Sequence, residues 1–133
     1  MGFTQSISVC LRKYFTFSGR ASRSEFWWFY LLLFGIFLLR SFMPVVLLHM
    51  ILNESLSAET FKSLVIPMEV LNLIPLILVI PIWAAASRRL HDIGKSGWWQ
   101  LVWVTGIGIF LLVVWLAKGT EQEDNKYGPL EQS

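Results

Sequence analysis

The chain has 133 residues, 55% of them hydrophobic and 15% charged, with a net charge of +2 and a mean hydropathy of +0.57. A soluble domain carries roughly a quarter charged residues and about 45–50% apolar ones, and so small a core cannot hide the excess from water. The composition therefore points to a one-domain membrane protein, and its single cysteine, Cys10, excludes an intramolecular disulfide or a thiolate metal cluster.

Residues 3–17 come first. Phe3, Ile7, Cys10, Tyr14 and Phe17 follow each other at steps of four and three, with Arg12 and Lys13 off that face. This spacing predicts an amphipathic helix lying in the membrane interface. Next, "SRSEF" at Ser22–Phe26 has the form of a capping box. Ser22 caps the amide three residues on, and Glu25 is expected to reach back to the Ser22 amide.

Three apolar segments follow, at 26–48, 65–86 and 98–116. The first has about 23 residues, or roughly 34 Å as a helix, enough to cross a hydrocarbon layer of about 30 Å. It contains Arg40, and the second contains Glu69; an intramembrane Arg40–Glu69 ion pair is expected, since a lone charge in a span is costly. The second segment also carries Pro67 in its expected first turn and Pro75 and Pro81 in its interior, where kinks are predicted. Residues 51–64 read as a polar connection and 117–133 as a polar, poorly ordered tail. The first apolar run begins too late and runs too long for a signal peptide.

Charge sets the expected orientation. Arg12, Lys13, Arg20 and Arg23 precede the first span, and Arg88, Arg89 and Lys95 lie in the link between the second and third. Glu54, Glu59, Glu121, Glu123, Asp124 and Glu131 sit in the first connection and the tail. The positive-inside rule places the N-terminus and the link in the cytoplasm, and three spans then place the C-terminus outside. Trp27, Trp28, Trp98 and Trp99 fall at the cytoplasmic ends of their spans, where aromatic belts belong.

The link "SRRLHDIGKSGWWQ", Ser87–Gln100, gathers the candidate chemistry. "IGKSG" imitates the end of a phosphate-binding loop, but Arg89 stands where the first glycine is required, which excludes that motif. His91 and Asp92 suggest a base and its orienter, yet no nucleophile is singled out, and His49 is expected across the membrane. Neither a catalytic site nor a metal site is assigned. Asp92 is expected to pair with Arg88 one turn back, and Gly94 to end the helix. Arg20, Arg23, Glu25, Arg88, Arg89, His91, Asp92 and Lys95, with Trp27 and Trp98, form an expected cytoplasmic collar for anionic lipid or a membrane-protein partner.

Three motifs, "FSGRASRSEFWWF" (17–29), "RRLHDIGKSGWW" (88–99) and "GTEQEDNKYGP" (119–129), resemble the domain of unknown function 805 family of small bacterial inner-membrane proteins. The resemblance covers roughly residues 14–129. It singles out Gly19, Arg20, Arg23, Glu25, Trp27, Arg88, Arg89, Leu90, His91, Asp92, Ser96, Gly97 and Trp98, and implies location more than activity. Arg40 stands outside it.

The reading is an all-α membrane protein: a single domain over 1–133, with three transmembrane helices and an N-terminal interfacial amphipathic helix. The expected function is non-enzymatic and without cofactor. The expected partners are anionic headgroups, a second copy or another membrane protein, and no nucleic acid. The alternatives are an oligomeric transporter or channel subunit, and a lipid-headgroup enzyme using His91 and Asp92.

Overall fold

A computed structural model describes residues 1–53, 57–120 and 124–129. It contains four α-helices: α1 (Phe3–Arg12), α2 (Arg23–Leu52), α3 (Ala58–Asp92) and α4 (Ile107–Ala117). A 3₁₀ segment, Gly97–Thr105, precedes α4. The described residues hold no strand beyond one isolated bridge, Asn125 to Gly128. The chain divides into two compact units. One, the split unit, joins Met1–Tyr30 to Ile80–Ser133; the other, the hairpin unit, is Leu31–Val79.

In the hairpin unit, α2 and α3 run antiparallel. Leu48 and Ile51 share a groove with Phe61 and Val65, while Arg40 and Met43 share one with Met68 and Asn72. Both helices are long and apolar enough to cross a membrane. Their outer faces are apolar as well: Phe42 is 64% exposed and Leu76 67%. Water would not tolerate so continuous an apolar surface, whereas hydrocarbon does. Ser41 returns its hydroxyl to the Phe37 carbonyl at 2.8 Å, so this polar group needs no solvent.

Several expectations are corrected here. The helix that carries the second apolar segment begins at Ala58, ahead of Val65. Pro67 is therefore inside the helix, and α3 is a continuous helix through Pro67, Pro75 and Pro81. Much of the expected polar connection 51–64 is helical; its Glu54, like Glu121, Glu123 and Glu131, lies outside the described residues. No Arg40–Glu69 ion pair forms: both side chains are exposed, and Glu69 accepts instead from Asn72 Nδ2 at 3.3 Å. The two residues do line one groove of about 230 Å³.

In the split unit, α1 stops at Arg12, so Tyr14 and Phe17 lie beyond it. Its buried residues are Ser6 and Cys10, one turn apart. Ser6 Oγ reaches the Ser24 carbonyl (3.2 Å) and Cys10 Sγ the Glu25 carbonyl (3.8 Å). Small side chains let α1 lie close to the start of α2, and the larger Phe3 packs edge-on against Trp28 at 5.8 Å.

The apolar run 98–116 is not one helix. Gly106 takes φ +70, a left-handed conformation that favours glycine. Thr105 holds the turn, donating to the Val102 carbonyl (2.8 Å) and accepting from the Gly108 amide (3.1 Å). The two arms then fold back on each other: Trp99 meets Trp115 at 5.4 Å. A Cβ on Gly108 would fall 2.0 Å from the Val102 oxygen, so only glycine permits this approach. At 11 residues, α4 reaches roughly 16 Å, well short of a 30 Å layer. In place of the single helix expected over 98–116, the structure has a 3₁₀ segment, a turn at Gly106 and the short α4.

Candidate functional site

The link is built by a helix stop. At the end of α3, Gly94 adopts φ +70, its amide bonds the His91 carbonyl (3.0 Å), and the Lys95 amide bonds the Leu90 carbonyl (2.9 Å). These two bonds make a Schellman cap, which satisfies orphan carbonyls at the helix end. The positive charge of Arg89 sits in the last turn, where the helix dipole favours cations, with Arg88 just before it, while Glu25 lies in the first turn of α2, where the dipole favours anions.

These charges meet inside the protein. Glu25 pairs with Arg88 through Oε1 and Nη1. Asp92 lies between two guanidinium groups, with Oδ1 2.9 Å from Arg20 Nε and Oδ2 bonded to Arg89 Nη1. All five side chains are at most 2% exposed. Arg89 also donates from Nε to the Leu116 carbonyl (3.0 Å) and from Nη2 to that of Lys118, tying down the end of α4. The Ala21 amide bonds the Arg88 carbonyl at 3.1 Å, joining the segment before α2 to the end of α3.

Burial first, then the Glu25 charge, pushes the Cys10 thiol up to about 12, which makes it a poor nucleophile.

Two expected pairings are corrected. Asp92 pairs with Arg89 and Arg20 rather than Arg88, and the Glu25 carboxylate reaches Arg88. The Ser22 half of the cap stands, since Ser22 Oγ accepts from the Glu25 amide at 3.2 Å. Of the other expected collar residues, Arg23 is exposed, Trp98 is 79% exposed, and Trp27 packs on Phe26 and Tyr30. Lys95 covers the Trp115 ring at 4.2 Å.

His91 turns away from Asp92. Its Nδ1 lies 3.1 Å from the Gly19 carbonyl. A carbonyl only accepts, so Nδ1 carries the proton and Nε2 presents a lone pair when the ring is neutral. The His91 ring stacks on Tyr127 with centroids 3.9 Å apart and planes 4° from parallel, and Asn125 Nδ2 bonds the His91 carbonyl at 2.9 Å. Asn125 and Tyr127, in the tail expected to stand apart from the link, are therefore packed on it. Sequence reasoning missed Asn125 and Tyr127 as site residues, although both lie in the third motif, "GTEQEDNKYGP".

The family model described as "Protein of unknown function (DUF805)" matches residues 14–129. The chain belongs to this family. It is 28% identical over 120 residues to the inner membrane protein YhaH of Escherichia coli strain K12, covering 90% of this chain and 89% of YhaH. It is 32% identical over 122 residues to the inner membrane protein YhaI of the same strain, covering 89% and 87%. No solved structure matches.

Proposed function

We propose that the chain is a non-enzymatic inner-membrane module with two crossings, α2 and α3, and an in-and-out hairpin over residues 97–117. Its N-terminus and its residues 124–129 both lie on the cytoplasmic side. The observation that carries this reading is the stacking of Tyr127 on His91, because a segment packed on the link shares the link's side of the membrane. The basic residues around α1, the start of α2 and the link support the cytoplasmic assignment.

On this reading Arg20, Arg88 and Arg89 fasten the split unit together and do not meet headgroups. Anionic lipid is met by the exposed Arg12 and Arg23, flanked by the exposed indole of Trp28. Basic residues at such a surface contribute about 1 kcal/mol each. The non-enzymatic assignment is supported by Asp92, whose carboxylate is occupied by two guanidinium groups instead of orienting His91.

Reporter fusions at the C-terminus test the topology. A cytoplasmic end gives a fluorescent GFP fusion and an inactive alkaline phosphatase fusion; the reverse pattern restores three crossings and defeats the proposal. Native mass spectrometry from nanodiscs tests the lipid surface. Retained phosphatidylglycerol falls several-fold in Arg12→Gln/Arg23→Gln, and equal retention removes that surface from the reading.

A further inference from the structure

A cavity of about 480 Å³ lies beside the link in the split unit, within the range typical of small-ligand sites, roughly 300–1,000 Å³. We propose that it binds an uncharged ring bearing hydroxyl groups, with His91 Nε2 and Gln100 Oε1 accepting from those hydroxyls, Ser87 Oγ donating, and Trp83 and Trp98 flanking the ring.

The hydrogen-bond inventory selects this chemistry. With Nδ1 donating to Gly19, the Nε2 of neutral His91 is an acceptor. The Gln100 side chain is fixed by its Nε2, which donates to Ser87 Oγ (2.5 Å) and to the Gly97 carbonyl (3.0 Å). Its Oε1 is left to accept, and Ser87, already accepting, is left to donate. Among the described residues no carboxylate, lysine or arginine lines the cavity, so these walls offer a charged ligand no counter-charge. The aromatic walls suit a flat or CH-rich ring face.

Gly97 keeps the polar floor open. A Cβ there would lie 2.7 Å from Ser87 Oγ and 3.4 Å from His91 Nε2, in the space between the donor and the acceptor. Two membrane-borne sources present such a head: the quinol ring of a prenylated quinol and the sugar of a glycolipid. The inference extends the membrane-module reading without using its anionic-lipid surface.

The test uses the full chain in phosphatidylcholine nanodiscs. It is titrated separately with a decyl-tailed benzoquinol and with a short-chain alkyl glucoside below its micellar concentration, and read by tryptophan fluorescence. One probe saturates at a single site, and which one does names the source. Gly97→Ala weakens binding at least tenfold. Trp98→Ala, at a position exposed enough to leave the fold intact, weakens it several-fold. Arg12→Gln/Arg23→Gln binds the ring probe like wild type, so failure of the lipid surface and failure of this site are read separately. Saturation by neither probe overturns the proposal, as does wild-type affinity in Trp98→Ala.

Discussion

The two units treat charge in opposite ways. The split unit buries Arg20, Glu25, Arg88, Arg89 and Asp92 and pairs each of them. The hairpin unit carries Arg40 and Glu69 and leaves both exposed, with Asn72 bonded to Glu69. Buried charges are tolerated only when geometry and further hydrogen bonds offset desolvation, and removing one partner strands the other. Neither Arg40 nor Glu69 sits in such a buried pair, so removing one of them strands no buried partner. Position in the fold, more than residue type, therefore sets how much each charge matters.

The largest effect is expected at Asp92. Asp92→Asn removes the carboxylate that holds Arg20 and Arg89, and such losses cost about 3–5 kcal/mol. The variant should fail to accumulate as folded protein, or unfold at much lower SDS fraction in detergent. Glu69→Gln, the counterpart in the hairpin unit, keeps an acceptor for Asn72 and strands no buried charge, so it should shift the same midpoint by much less than Asp92→Asn does. Similar shifts for the two variants would erase the contrast between the units.

Glycines sharpen it further. Gly108→Ala drives a methyl group into the Val102 carbonyl, and overpacking of this kind costs roughly 1–3 kcal/mol. Gly35, inside α2, has nothing within 4 Å of a built Cβ. Gly35→Ala should instead stabilise by about 0.5–1 kcal/mol, because alanine is the better helix former. Thermal unfolding of the two variants should move in opposite directions.

A chemical probe gives a smaller, qualitative readout. With its pKa raised to about 12 and its side chain buried, Cys10 should resist maleimide at pH 8 in the native protein and react after denaturation. Prompt native labelling would mean that α1 separates readily from the start of α2.

Much of this molecule is legible in the chain itself. Apolar runs around Arg40 and Glu69 predict long lipid-facing helices, because hydrocarbon leaves the backbone no partner but itself. Gly94 predicts the helix stop, and Ser22 its cap. The motifs around Arg20 and Arg88 mark the site, and with the third they identify the family. Residue spacing could not reveal the partners of the charges: Arg20 reaches Asp92 across 72 positions and Arg88 reaches Glu25 across 63. Nor could hydropathy distinguish a spanning helix from a hairpin over 98–116, since both bury the same apolar residues in lipid. That outcome turns on the backbone at Gly106 and on the space that Gly108 leaves beside Val102. The place of Tyr127 depends on its stacking on His91, a contact between residues far apart in the chain. Composition and periodicity determined the solvent, the long helices and their caps. Tertiary structure alone decided the pairing of the buried charges and the path of the last third of the chain, because both depend on contacts between residues far apart in sequence.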